Sequence, residues 1–240
     1  MDHPFEPYGV THWIILAGFV AGIVPVVRLG RSVRTDPARA RRISRAAALA
    51  IVGFTLPLQA LDCLPGRFDV DVSLPLQLCD LAWVVAAYAL WTRRPTAVAV
   101  TYYWGLVLSS QGLVTPSLSH SFPDPRFVAF WGMHLLIVWS AIFLTWGLGI
   151  RPTWSGYART VGITVVWAVL VFAFNTYAGT NYGYVNHKPQ AASVLDLLGP
   201  WPSYVGLEVL LVSAVWALMT WPWQRRADVA LERAGLHSEA

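Results

Sequence analysis

The stretch LPLQLCDLAWVVAAYALWTRR, residues 74–94, decides how this chain is read. From Leu74 to Thr92 Asp80 is the only charged side chain, and Arg93 and Arg94 then stop the run. At ~1.5 Å of rise per residue, a helix over that run comes close to the ~30 Å thickness of a bilayer's hydrocarbon layer. Its head is unusual. Gln77, Cys79 and Asp80 fall within four positions, although an ionisable group facing lipid costs ~2.5 to 3.5 kcal/mol on insertion scales. An amide, a thiol and a carboxylate together at one end of an apolar run point to a pocket.

Outward from this stretch the pattern repeats. Seven apolar spans are expected, over residues 12–29, 46–64, 74–92, 96–116, 127–149, 158–178 and 201–223. With 56% hydrophobic and 12% charged residues, little is left for a soluble domain. The expected fold is therefore all-α, a single membrane domain over residues 1–223 followed by a short cytoplasmic tail over 224–240. The start of the chain lacks a basic n-region and a small-residue cleavage site, so the first span is expected to be a retained helix and not a signal peptide.

Basic residues set the topology. Fourteen of the seventeen fall in the loops after spans one, three, five and seven, beginning with Arg28, Arg31, Arg34, Arg39, Arg41, Arg42 and Arg45. Only Arg67, Arg126 and Lys188 fall on the other side. Cytoplasmic loops retain Arg and Lys, so the N-terminus is expected outside and the C-terminus inside, in a multi-pass membrane protein. This basic excess reports topology and lacks the interleaved aromatics of a nucleic-acid surface, so no nucleic-acid partner is expected. Trp13, Trp91, Trp154, Tyr157, Trp201, Tyr204, Trp221 and Trp223 suit interfacial belts, and Pro75, Pro200 and Pro202 suit the first turns of spans three and seven.

On that topology the strongly polar intramembrane groups gather in the outer half. Counting ~1.5 Å per residue, Cys79 and Asp80 lie roughly 7 to 9 Å below the outer end of span three, and His134 and Glu208 ~10 Å down spans five and seven. Gln59, Asp62, Gln111 and Asn175 lie near the outer ends of spans two, four and six, and His12 begins span one. Tyr88, Tyr102, Tyr103, Thr145 and Thr164, in the inner half, are expected to satisfy themselves on nearby carbonyls. Asp80, His134 and Glu208 are expected to face one another, with Gln77 and Trp83 on the same wall as Asp80 and Cys79. The loop between residues 178 and 202, which carries Asn181 and His187, reads either as a lid over this pocket or as a solvated connector.

Three kinds of chemistry compete for these residues. A thiol and an imidazole at one depth suit covalent acyl transfer, with Cys79 as nucleophile, His134 as base and Asp80 or Asn175 orienting the ring; Asn175 is also a candidate donor to an oxyanion. Gln77, Trp83, Gln111, Asn181 and Glu208 are the candidate substrate-binding residues. A lipid or small-molecule binding protein or transporter would use the same pocket without chemistry. A purely structural reading makes the polar groups interhelical glue. No metal-ligand spacing such as HExxH occurs, and no metal or other cofactor is expected. Two cysteines, Cys63 and Cys79, leave a single bridge open.

Four segments resemble a known family: LPLQLCDLAW (74–83), FWGMHLLIVWSAIFLTWG (130–147), FAFNTYAGTNYGYV (172–185) and LDLLGPWPSY (195–204). They are similar to the YwaF-like integral membrane proteins of bacteria and to the eukaryotic transmembrane protein 164 acyltransferases. The resemblance implies an enzyme that moves a fatty acyl chain between membrane lipids, a phospholipid donor and a lipid acceptor, through a cysteine thioester. It places Cys79 on the family's nucleophile and His134 on its base. Hydrolysis of a lipid ester is the alternative outcome. Two positions depart from the pattern: Gln77 stands where bacterial relatives often carry His, and Asp80 where the eukaryotic pattern places His.

Overall fold

The computed structural model describes residues 5–116, 118, 120–189 and 194–233, and among these it is all-helical, with no strand. The helices are α1 (Val10–Val33), α2 (Pro37–Leu61), α3 (Leu78–Thr92), α4 (Pro95–Tyr103), α5 (Ser110–Val114), α6 (Pro125–Ile142), α7 (Trp154–Ala178) and α8 (Ser203–Arg233). A π-helical segment, Trp104–Ser109, joins α4 to α5 without a break, and a second, Phe143–Gly147, continues α6.

Six of the resulting rods are long and apolar enough to cross a membrane: α1, α2, α4 through α5, α6 with its π segment, α7, and α8 as far as Arg225. The seventh, α3, is shorter. Its 15 residues rise only ~22 Å, because the helix starts at Leu78 and not at the head of the apolar run. Leu74 to Gln77 form turns instead, so Pro75 precedes the helix; Pro200 and Pro202 likewise precede α8, correcting their expected place inside first turns.

Burial sorts the helices into two groups. The central α3, α4 and α6 bury Trp83, Leu90, Val98, Tyr103, Trp104, Met133 and Ile137 in one core. The outer α1, α2, α7 and α8 leave Ile14, Val20, Leu49, Leu56, Val166, Leu170, Leu210 and Leu218 exposed. Apolar side chains exposed along four whole helices are those of a protein whose solvent is lipid. α8 runs on unbroken past residue 223 to Arg233, and the remainder of the expected tail, 234–240, lies outside the described residues.

Small residues and aromatic hydroxyls fix the crossings. A β-carbon on Gly30 would stand 2.4 Å from the Cα of Gly147, so α1 meets the second π segment backbone to backbone. α8 is tied to α4 by Tyr103 Oη and Thr220 Oγ1 at 2.6 Å, and Trp104 Nε1 donates to Thr164 Oγ1 of α7 at 2.9 Å. Thr164 and Tyr102 find carbonyls, those of Thr160 and Met219, as expected for the inner-half hydroxyls. Thr145 does not: its buried hydroxyl has no partner. Tyr204 is no interfacial anchor either, being fully buried with its hydroxyl donating to the Tyr184 carbonyl.

Candidate functional site

The polar head of span three is first of all a helix start. Gln77 is the N-cap of α3, and its backbone N–H donates to Oδ2 of Asp80, three residues on, at 3.2 Å. A helix begins with N–H groups that lack intrahelical acceptors, and a carboxylate at the third position is well placed to reach back. Asp80 is thereby engaged within its own turn, while the Gln77 side chain turns outward and Oε1 accepts from the N–H of Gly183 at 3.0 Å. Cys79 sits between them at the second helical position, half-buried against the core that contains Met133 and Ile137. The N–H groups of Leu78 and Cys79 donate to no acceptor among the described residues.

His134 is buried on α6, 3% exposed. Its Nδ1 lies 2.7 Å from the carbonyl of Phe130, one turn earlier, and a carbonyl only accepts, so Nδ1 carries the proton. Nε2 then holds a free lone pair and has no hydrogen-bond partner among the described residues. The ring lies 4.4 Å from that of Phe130 between centroids, tilted by 39°, and packs against Gly112 of α5. The first π segment brings a further group to this helix pair. Gly105 packs on Ile137 and Ala141 of α6, Gly112 packs on His134, and between them in the chain lies Ser109, whose buried hydroxyl has no partner among the described residues.

The loop after α7 is folded. Asn175 spends its whole amide there: Nδ2 donates to the Tyr182 carbonyl and to Asn186 Oδ1, each at 2.9 Å, while Oδ1 accepts from the Thr180 hydroxyl at 2.8 Å and the Tyr182 N–H at 2.9 Å. Tyr182 is fully buried, its hydroxyl donating to the Val70 carbonyl at 2.7 Å and accepting from the Leu74 N–H at 3.0 Å. Burial holds its phenol above the ordinary tyrosine range. Trp167 of α7 completes the clasp by donating Nε1 to the Leu76 carbonyl at 3.1 Å. These bonds make the loop a strap tied to the segment before α3; residues 190–193 lie outside the described set.

The remaining expected site residues are spread more widely. Trp83 donates to Gln59 Oε1 at 3.0 Å, joining α3 to α2. Asn181 is occupied with His187, whose backbone N–H it accepts and whose carbonyl its Nδ2 reaches at 2.7 Å. Gln111 is exposed and Glu208 half-buried, neither with a side-chain hydrogen bond among the described residues. Asp80, His134 and Glu208, expected to face one another, share no hydrogen bond among the described residues. Each ionisable group has found, or been left by, its own helix turn. No hydrogen bond joins Cys79 to His134. Both cysteines are free, Cys63 exposed with its thiol 3.6 Å from the Ser73 carbonyl. His12 is a satisfied core residue: Nδ1 accepts from the Tyr8 N–H at 2.9 Å and Nε2 donates to the Leu113 carbonyl at 2.7 Å. Among the described residues no three His, Cys, Asp or Glu gather to hold a metal.

Sequence reasoning missed Gly112, Ser109, Trp167 and Tyr182. A signal existed for the glycine, since Gly105 and Gly112 are one heptad apart, the repeat by which small residues mark a helix contact. None existed for the π segments, whose extra residue per turn follows from packing.

A family model described as the TMEM164 family matches residues 7–220. No curated protein and no solved structure matches the chain. The match spans most of the sequence, and the chain belongs to the TMEM164 family.

Proposed function

Proceeding from that membership, we propose that this polytopic membrane protein is a seven-span lipid acyltransferase. Its Arg-rich end is cytoplasmic, and its site opens toward the extracytoplasmic leaflet of the bacterial plasma membrane. Cys79 attacks the acyl carbonyl of a phospholipid ester while His134 Nε2 takes the thiol proton. The ester C–O bond then breaks, His134 returns the proton to the departing lysolipid oxygen, and the acyl group remains as a thioester on Cys79. An acceptor lysolipid hydroxyl, losing its proton to His134, attacks that thioester, and the thiolate leaves and is reprotonated. Water in place of the acceptor makes the same site a hydrolase. No cofactor enters either sequence.

What supports this reading is His134: an imidazole whose Nδ1 is fixed on Phe130 presents its basic nitrogen inside a membrane protein, where a histidine without a task is expensive to keep. The start of α3 supplies the rest. Cys79 stands in the first turn of the helix, so a carbonyl that it attacks lies at the end where backbone N–H groups point outward. The free N–H groups of Leu78 and Cys79 are aligned donors for an oxyanion on the carbonyl that Cys79 attacks. They take the part earlier considered for Asn175, whose amide is fully spent, and Asp80 serves as the cap that holds this turn in shape. Gln77 and Asn181, through the strap, border the lipid's entry; Trp83, Gln111 and Glu208 are left as lining candidates on three different helices.

One observation favours a second reading. No hydrogen bond joins thiol and imidazole, and a protein that binds lipid without chemistry needs none. Incubating the detergent-solubilised protein with a long-chain activated acyl ester separates the two. Acyl transfer predicts a thioester adduct on wild type, none on Cys79→Ala and at least ~100-fold slower labelling of His134→Ala, the range of general base catalysis. Equal labelling of all three proteins overturns the Cys-His mechanism, and unchanged lipid affinity in Cys79→Ala without turnover in either protein leaves the binding reading.

A further inference from the structure

A second region, at the opposite end of the bundle from Cys79, is also built for a ligand. Between α4 and α7 runs a groove of about 400 Å³ lined by Thr96, Arg159, Gly162, Ile163 and Val166. Gly162 leaves it open, since a β-carbon there would meet nothing within 4 Å, and Ile163 and Val166 are exposed along it. One end is polar: Arg159 Nη1 donates to Thr96 Oγ1 at 3.1 Å, at the second position of α4. That helix start is uncapped. Its N-cap, Arg94, supplies no side-chain acceptor, and the N–H groups of Thr96 and Ala97 have none among the described residues. On the other flank of the same helix start, a cavity of about 40 Å³ is lined by Pro95, Tyr102, Thr145 and Arg151, among others. Thr145, 1% exposed, lines it with a hydroxyl that has no partner among the described residues.

Neither Arg151 nor Arg159 has an ion pair among the described residues, and the two ion pairs found, Arg126 with Asp62 and Lys188 with Asp196, use none of the arginines at this end. Arg93 lies near enough to Arg41 and Arg45 for their charges to help lower its pKa, after burial. A helix N-terminus with free N–H groups, flanked by guanidinium groups, takes an anion. An apolar groove leading away from it through the lipid-facing surface takes a hydrocarbon chain.

We propose that this groove binds a glycerophospholipid with an anionic headgroup from the leaflet at the Arg-rich end. The phosphate sits on the start of α4 beside Arg159, and one acyl chain lies along Gly162, Ile163 and Val166. The site is independent of Cys79 and His134 and stands or falls without them.

The test is lipid binding by the full chain, read by native mass spectrometry and by the thermal shift in detergent, with dioleoyl phosphatidylglycerol and dioleoyl phosphatidylcholine as probes. Wild type binds phosphatidylglycerol at least ~5-fold more tightly, the scale of one basic contact to an anionic lipid. Arg159→Gln loses that preference, and Gly162→Leu, which fills the groove where the fold has room, loses affinity for both lipids. Arg39→Gln, an exposed arginine away from the groove, keeps both. Equal binding of the two lipids by wild type overturns the proposal, as does a preference that survives Arg159→Gln and Gly162→Leu or falls equally in Arg39→Gln. Displacement of the lipid by millimolar inorganic phosphate alone also overturns it, because the occupant is then a free anion.

Discussion

A β-carbon added to Gly112 would stand 2.5 Å from Nε2 of His134, the nitrogen that carries the free lone pair. Glycine at that position is therefore what lets this edge of the imidazole pack against α5. The π segment before Gly112 sets which residue of the rod faces α6, so base and glycine are placed by the same packing.

Gly112→Ala is expected to displace the His134 ring. Overpacking of this kind costs ~1 to 3 kcal/mol, which lowers the melting temperature, and acyl-probe labelling falls further than the loss of folded protein explains. Labelling per folded molecule equal to wild type would show that the contact does not matter to His134.

Asp80→Ala removes the carboxylate that caps α3 and is expected to destabilise by ~1 kcal/mol. Asp80→Asn, which still offers an oxygen to the Gln77 N–H, recovers most of it. Thermal melts of the three proteins decide. If Asp80→Asn is as unstable as Asp80→Ala, charge and not capping is the contribution of Asp80.

Asn175→Ala strands the Tyr182 N–H and the Thr180 hydroxyl in a buried clasp, at ~1 to 3 kcal/mol for each unsatisfied group. The strap over α3 then opens, and residues 180–186 exchange amide hydrogens and are cut by protease faster, before the bundle melts. Unchanged protection of those residues in the variant would contradict the clasp.

Thr145→Val replaces a buried, unpartnered hydroxyl by a methyl of the same shape. Because nothing is left unpaired, the melting temperature is expected to hold or rise. A fall of several degrees would mean that the hydroxyl is satisfied by a bound molecule in the cavity beside α4.

Cys63, exposed, should react with a maleimide at least ~10-fold faster than half-buried Cys79, because access to the thiolate controls the rate. Mass mapping of the modified peptides measures both. Comparable rates would place Cys79 at an open surface.

Much of this protein was readable along the chain. The apolar runs and the arginines that end them gave α1, α4 through α5, α6 and α7 to within a few residues, because hydrocarbon thickness and the satisfaction of backbone groups leave a helix few alternatives; α2 and α8 run on beyond their apolar runs, starting at Pro37 and ending at Arg233. The polar head at Gln77, Cys79 and Asp80 stood out in the sequence, and for Gln77 and Asp80 the structure adds a local reason. Its depth was counted as though the helix began at Leu74; it begins at Leu78, and the spacing from Gln77 to Asp80 is that of a cap. The capping pattern was in the sequence, hidden by an apolar run that continues on both sides of it.

What the sequence determined by itself is the solvent of this protein and the number of its apolar runs, since both depend on composition summed over many residues. The tertiary structure alone decided the partners of each polar group: Asn175 for the strap, Asp80 for its own turn, His134 for Phe130 and Gly112, Thr145 for none. Hydrogen bonds reach only about 3 Å. A residue count along a helix fixes depth at that scale, but the rotation of each helix, set by glycine contacts and two π segments, chooses which side chains meet.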